Sequence, residues 1–210
     1  MSKWRPSQKL LDKLKRASKT IANENDHLPH ARDIHKVDPF TGDTPLHAAV
    51  RDESLKELNH LIRQGANLNA VDEDGLTPLM CACSWGGVKG MKVAIRLINA
   101  GADVNFVRVD DEMTALCFAA CDSRPEVIQA LLDRGAQVEG PPGAEQTPVM
   151  LAARENNVEA IKQLVAAGAD VNRPCQLPWA VGRTAEWLAE QEGARQASVY
   201  LRSLRKGSRT

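Results

Sequence analysis

The sequence predicts an all-α solenoid: helix–loop–helix units joined by extended-turn fingers, with an amphipathic helix at the N-terminus. Three observations carry this. A phrase starting Thr44-Pro45-Leu46-His47-Ala48-Ala49 recurs from Thr77, Thr114 and Thr147, with a worn copy from Thr184, at spacings of 33, 37, 33 and 37 residues. A second phrase, Gly65-Ala66-Asn67-Leu68-Asn69, returns in phase at Gly101, Gly135 and Gly168. Self-similarity at such a period marks stacked supersecondary units. The third observation is composition: 43 % of the 210 residues are hydrophobic but only 4 % are aromatic. Ala, Leu, Val and Ile must then fill the core, which suits close-packed helices and not a β-sandwich.

Residues 1–37 read as a basic helical extension. Leu10, Leu14, Ala17 and Ile21 fall on one helical face, ringed by Lys9, Lys13, Lys15, Arg16 and Lys19. The polar stretch Asn23 to Pro29 ends the pattern. Three readings fit the segment. One is a cap over the apolar side of the first repeat, and it is adopted here. The others are a helix for an acidic membrane or partner, and an organelle-targeting peptide.

Residues 38–210 form the repeat domain, divided into units 38–70, 71–107, 108–140, 141–173 and 174–207. In each unit Thr offers a side-chain oxygen to cap a helix, and where Pro follows it occupies the first helical position, where its missing N–H costs nothing. Small Ala residues let neighbouring helices approach. The glycine of the second phrase ends the following helix in the left-handed region, and the Asp/Asn-rich stretch after it is turn chemistry. No unit can bury its apolar face alone, so neighbours must stack.

Irregularities punctuate the pattern. The second unit carries a longer inter-helix loop around Gly86-Gly87-Val88-Lys89-Gly90, and the finger entering the third unit is one residue longer than the period. Gly140-Pro141-Pro142-Gly143 makes a regular hairpin doubtful in the fourth, because proline lacks an N–H. Four residues are added around Pro174 to Trp179, and the fifth unit, with Trp187 and a charged last helix, reads as a C-terminal cap.

The two interleaved phrases resemble the ankyrin-repeat family over roughly residues 38–205. The resemblance implies an L-shaped stack, an ankyrin-repeat solenoid of two helix layers with β-hairpin fingers, whose concave surface and finger tips bind other proteins. It implies inner-helix contact positions at Arg51 and Asp52, Ser84 and Trp85, Cys121 and Asp122, Arg154 and Glu155, and Gln191 and Glu192. It also implies that His47 hydrogen-bonds the neighbouring turn and that Asp72 caps its own turn.

Catalysis and cofactors are not expected. There is no GxxxxGK[ST], GxSxG or HExxH. Cys81, Cys83, Cys117 and Cys121 could in principle hold zinc, but the resemblance puts Cys81, Cys83 and Cys117 at packing positions, and the expectation is no metal. His27, His30 and His35 read as incidental. An odd cysteine count, no Asn-x-Ser/Thr sequon and no apolar leader point to a reduced, cytoplasmic setting. No apolar run is long enough for stable membrane insertion. A monomer is expected.

Charge is balanced overall, with 27 Lys/Arg and 27 Asp/Glu, and gives no signal for nucleic acid. Its distribution is uneven. Residues 1–37 hold nine basic and four acidic residues (+5), residues 38–145 nine and seventeen (−8), and residues 146–210 nine and six (+3). Acid gathers at the fingers: Asp72-Glu73-Asp74, Asp110-Asp111-Glu112, Glu139 and Glu145. Trp85, beside them, reads either as a binding hot spot or as a side chain folded under the enlarged loop. The expected function is a non-catalytic protein-interaction module for a basic protein surface. Its expected contacts are Glu73, Asp74, Asp110, Asp111, Glu112, Trp85, Arg51, Asp52, Asp122, Arg154 and Glu155. One concrete version is a cytoplasmic inhibitor or immunity protein that neutralises a nuclease-type toxin. The alternative is a regulatory adaptor or bacterial effector that captures a host or signalling protein.

Overall fold

A computed structural model describes residues 34, 36–84, 88–122 and 124–207. The expected N-terminal helix and Trp85 lie outside the described residues. Ten helices follow in pairs: α1 Pro45–Arg51 and α2 Leu55–Arg63; α3 Pro78–Ser84 and α4 Val88–Ala100; α5 Ala115–Cys121 and α6 Pro125–Asp133; α7 Pro148–Arg154 and α8 Val158–Ala166; α9 Ala185–Gln191 and α10 Arg195–Gly207. Each odd helix packs on the next odd helix and each even helix on the next even one, giving two layers.

The layers differ because their sequences do. The odd helices are all seven residues long, the middle three are almost wholly apolar, and residues 78–83 of α3 and 115–120 of α5 are buried throughout. Their Ala and Cys side chains permit close approach of backbones on both sides. The even helices are amphipathic: in α6, Val127, Ile128 and Leu131 are fully buried while Gln129 and Asp133 face solvent. Leu61, Leu97, Leu131 and Leu164, each four residues before a phrase glycine, are at most 1 % exposed and run through one continuous core.

Helix starts follow the expected chemistry in three repeats. The Thr44, Thr77 and Thr147 hydroxyls accept from the backbone N–H of His47, Met80 and Met150 at 3.4, 3.2 and 3.3 Å. Thr114 and Thr184 occupy the same position without a side-chain cap bond. Helix ends use the left-handed region, with φ of 84° at Gly65 and 95° at Gly101.

Among the described residues none is in a strand, so the fingers take the turn form. Finger 1 (38–43) is closed by the Asp38 N–H on the Asp43 carbonyl at 2.8 Å, finger 2 (72–76) by Asp72 on Leu76 at 3.1 Å, and finger 3 (108–113) by Arg108 on Met113 at 2.9 Å. In finger 4 (140–144) the two prolines cannot donate, and the turn closes from Ala144 N–H to the Pro141 carbonyl at 3.2 Å. Finger 5 (175–183) is longer and closes doubly, from Cys175 N–H to Arg183 O at 2.7 Å and from Gly182 N–H to Cys175 O at 2.9 Å.

Candidate protein-binding surface

The surface is built from fingers and from the C-terminal ends of the odd helices. Finger 2 starts from Asp72, whose Oδ1 accepts the N–H groups of Asp74 and Leu76 at 3.0 and 2.9 Å. This carboxylate shapes its own turn, as the resemblance implied. His47 reaches the same turn from the preceding repeat, its Nε2 lying 3.0 Å from the Leu76 carbonyl. The Glu73 N–H donates to the Thr41 carbonyl at 3.1 Å, which ties finger 2 to finger 1. A Cβ on Gly75 would sit 3.4 Å from the Arg108 side chain, so fingers 2 and 3 are in contact too.

Arg108 organises the acid. Its Nε donates to Asp111 Oδ1 at 2.7 Å and its Nη2 forms an ion pair with Asp111 Oδ2. The guanidinium carbon lies 5.5 Å from the Phe118 ring centroid. The Asp111 hydrogen bond holds the guanidinium pKa above its ordinary value, with Asp110 and Asp74 adding to the pull. The sequence-expected residues Glu73, Asp74, Asp110, Asp111 and Glu112 are therefore brought to two adjacent fingers, where six carboxyl groups meet a single arginine. Asp111 is neutralised within the finger, while Asp74 and Asp110 are exposed.

The expected helix-end residues divide into two groups. Arg51 forms an ion pair with Asp43, and Asp52 beside it is exposed. Near Cys121 stand Asp122, Glu155 and Arg154, all of which act electrostatically on its thiol. Asp122 pairs with Arg124 at 3.4 Å, and Glu155 is exposed. Arg154 bridges repeats by donating to Gln146 Oε1 at 2.8 Å and Glu192 Oε1 at 3.1 Å.

Burial disfavours the thiolate at four of the five cysteines, Cys81, Cys83, Cys117 and Cys121. All five cysteines are free, and burial pushes Cys83 and Cys121 up to about 12. Among the described residues one trio of metal-ligand type exists: His47, Asp72 and Cys81, with ligand atoms within 4.8 Å of one another. Its members are already committed to the turn. A carbonyl can only accept, so the contact with Leu76 places the proton on His47 Nε2, leaving Nδ1 to accept from the Thr44 N–H at 3.2 Å. Asp72 holds two backbone N–H groups, and burial raises the Cys81 thiol pKa well above its ordinary value. The trio is a structural lock.

Comparison with known proteins matches the stacked geometry. The family profile described as "Ankyrin repeats (3 copies)" matches residues 20–108 and 89–175, more than half of the chain. The chain belongs to the ankyrin-repeat family. Its relatives include "Ankyrin repeat and KH domain-containing protein mask-1" of Caenorhabditis elegans, 30 % identical over 167 residues, covering 66 % of this chain and 6 % of that protein. "Protein glp-1" of the same organism is 27 % identical over 169 residues, covering 76 % and 13 %. "Neurogenic locus notch homolog protein 1" of Homo sapiens is 41 % identical over 113 residues, covering 53 % and 4 %. The ankyrin chain thus spans only a small fraction of each of these relatives.

Sequence reasoning missed one part of the ankyrin surface. Trp179, in finger 5, is 56 % exposed and packs at 6.2 Å between ring centroids on Trp187. Arg154 stands 5.7 Å over the Trp179 ring, and Arg183 5.1 Å over Trp187. The four-residue insertion around Pro174 to Trp179 was the available signal. It reads in sequence as an irregularity because nothing local says which inserted side chains stay in solvent.

Proposed function

We propose that this ankyrin domain is a non-catalytic interaction module that takes a basic protein surface on fingers 2 and 3. The single observation that carries this is the convergence of Asp74 and Asp110, from two touching fingers, on Arg108, which is already paired with Asp111, with Glu112 on the same finger. Like charges held on a rigid scaffold repel one another, and a cationic partner relieves that repulsion while accelerating encounter. Asp52, Asp122 and Glu155, at helix ends, extend the acidic contact, whereas Arg51 and Arg154 act mainly by holding neighbouring elements. In its most concrete form the protein is a cytoplasmic inhibitor that covers the basic groove of a nuclease-type toxin.

A second reading, a regulatory adaptor or effector, is favoured by the relatives, in which the matched stretch is a small part of a much longer protein. The partner separates the two. Affinity capture at low and high ionic strength, repeated with Asp74→Lys, Asp110→Lys and Glu112→Lys combined, tests the proposal. One dominant basic partner, lost in high salt and lost on charge reversal, is the expected result. A predominantly apolar partner retained in high salt and indifferent to the reversal overturns the acidic-finger reading and leaves the adaptor.

A further inference from the structure

Finger 5 carries features that recognition of a basic surface does not use. It is a preformed loop: Cys175 and Ala180 are buried in the core, and the Gln176 N–H donates to the Glu145 carbonyl at 2.9 Å, fastening it to finger 4. From this base Trp179 and Val181 project, 56 % and 62 % exposed. Trp187 and Arg154 both lie against the Trp179 ring, at 6.2 and 5.7 Å from its centroid. A large aromatic held in solvent on a rigid support is the composition of an interface anchor.

The charge beside that anchor is opposite to the charge at fingers 2 and 3. Residues 174–184 contain one charged group, Arg183, and so carry a net +1. Arg154, Arg173, Arg202 and Arg205 each pair with a carboxylate, and so Glu139, Glu186, Glu190 and Glu192 are already occupied. Arg183 has no carboxylate partner among the described residues, and its guanidinium lies over the Trp187 ring. Arg183 is exposed, so its guanidinium donors are open to a bidentate acceptor.

We propose that finger 5 is a second docking site, which takes an acidic segment of a protein partner: a carboxylate on Arg183 and an apolar side chain against Trp179 and Val181. The proposal rests on the protein-binding reading but not on the preference of fingers 2 and 3 for basic groups. A partner that reads the whole finger row is then electrically asymmetric, basic opposite fingers 2 and 3 and acidic opposite finger 5.

The test is an amide and indole NMR titration of the full chain with two blocked peptides of equal length, one alternating Asp and Leu, the other Lys and Leu. The acidic peptide is expected to move the Trp179 indole N–H and the Val181 and Gly182 amides saturably. Arg183→Glu should weaken that binding by about tenfold. Arg183→Gln, which keeps length and hydrogen-bonding capacity but removes the charge, should fall between, with the Cys175 and Ala180 amides unshifted to show that the loop is intact. Movement of the finger 5 signals by the Lys peptide to the same extent, their indifference to the Asp peptide, or unchanged binding by Arg183→Glu would each overturn the proposal. Failure at fingers 2 and 3 is read separately, from the Asp74 and Asp110 amides in the Lys titration.

Discussion

At His47 one imidazole joins two repeats. Its Nε2–H serves the Leu76 carbonyl at 3.0 Å while Nδ1 accepts the Thr44 N–H at 3.2 Å, completing a reciprocal cap with the Thr44 hydroxyl. Protonating Nδ1 removes that acceptor inside a buried site. Burial accordingly lowers the His47 pKa, against the opposing pull of the Leu76 bond, Asp72 and Asp43, and with help from Arg51. The unfolded chain then binds a proton before the folded one does as pH falls. Stability is therefore full above the ordinary histidine value, about 6.5, and declines as pH drops from there through the lower folded value. Urea midpoints at pH 7.5 and 5.5 should show the decline, and His47→Asn should remove this part of it. Asp72, raised by burial, works in the opposite sense but nearer the carboxylate range. A second residue-scale expectation concerns Glu53, which takes φ 50° where the equivalent Asn156 and Gly193 have 59° and 69°. Asn tolerates this left-handed position better, so Glu53→Asn should stabilise by about 0.5 kcal/mol, read as a raised thermal midpoint.

Between elements, polar side chains form rungs that the repeat alone does not announce. Asn69, Asn105 and Glu139 close one phrase and accept the N–H of Asp103, Gln137 and Asp170 in the next, at 2.9, 2.8 and 2.7 Å. Asn157 at the start of α8 reaches back to the Ala120 carbonyl at 2.9 Å and to Cys121, satisfying the end of α5. Arg124 does the same for Ala82 in α3 at 3.2 Å. Removing Asn157 strands two carbonyls at a helix end, so Asn157→Ala should cost about 1–3 kcal/mol in urea unfolding. Amide exchange should rise first in α5 and α8. The existence and order of these helices were legible because Thr-Pro and Gly-Ala phrases act locally, through caps and left-handed turns. The rungs were not, since Asn157 and Arg124 are ordinary polar residues in sequence and the carbonyls they serve lie 37 and 42 positions away.

For the molecule as a whole, nearest-neighbour stacking makes the middle of the chain the most sensitive part. Ile128 is fully buried in α6, between repeats on both sides. Ile128→Ala should cost about 2–5 kcal/mol and make unfolding less cooperative, with midpoints by far-UV dichroism and by Trp fluorescence drawing apart. With Trp4 and Trp85 replaced by Phe, the fluorescence of the pair Trp179–Trp187 reports the C-terminal repeats, which lie beyond that break. Charge is organised at the same scale. Most exposed ion pairs here contribute little to stability singly, so the arrangement of charge bears on association, with acid on fingers 2 and 3 and Arg183 beside the Trp179–Trp187 pair at finger 5.

By itself the sequence determined the ankyrin architecture, the two-layer stack and the acidic character of fingers 2 and 3, because these follow from recurring local signals and from counting charges. Only the tertiary structure decided which of those charges remain available. Asp72 and Asp111 are consumed by their own turns, Arg51 and Arg154 by neighbouring side chains, while Trp179 and Arg183 are left facing water. The physical reason is that a solenoid's core is set by periodic burial along the chain, whereas pairing and exposure at its surface depend on what the adjacent repeat brings alongside.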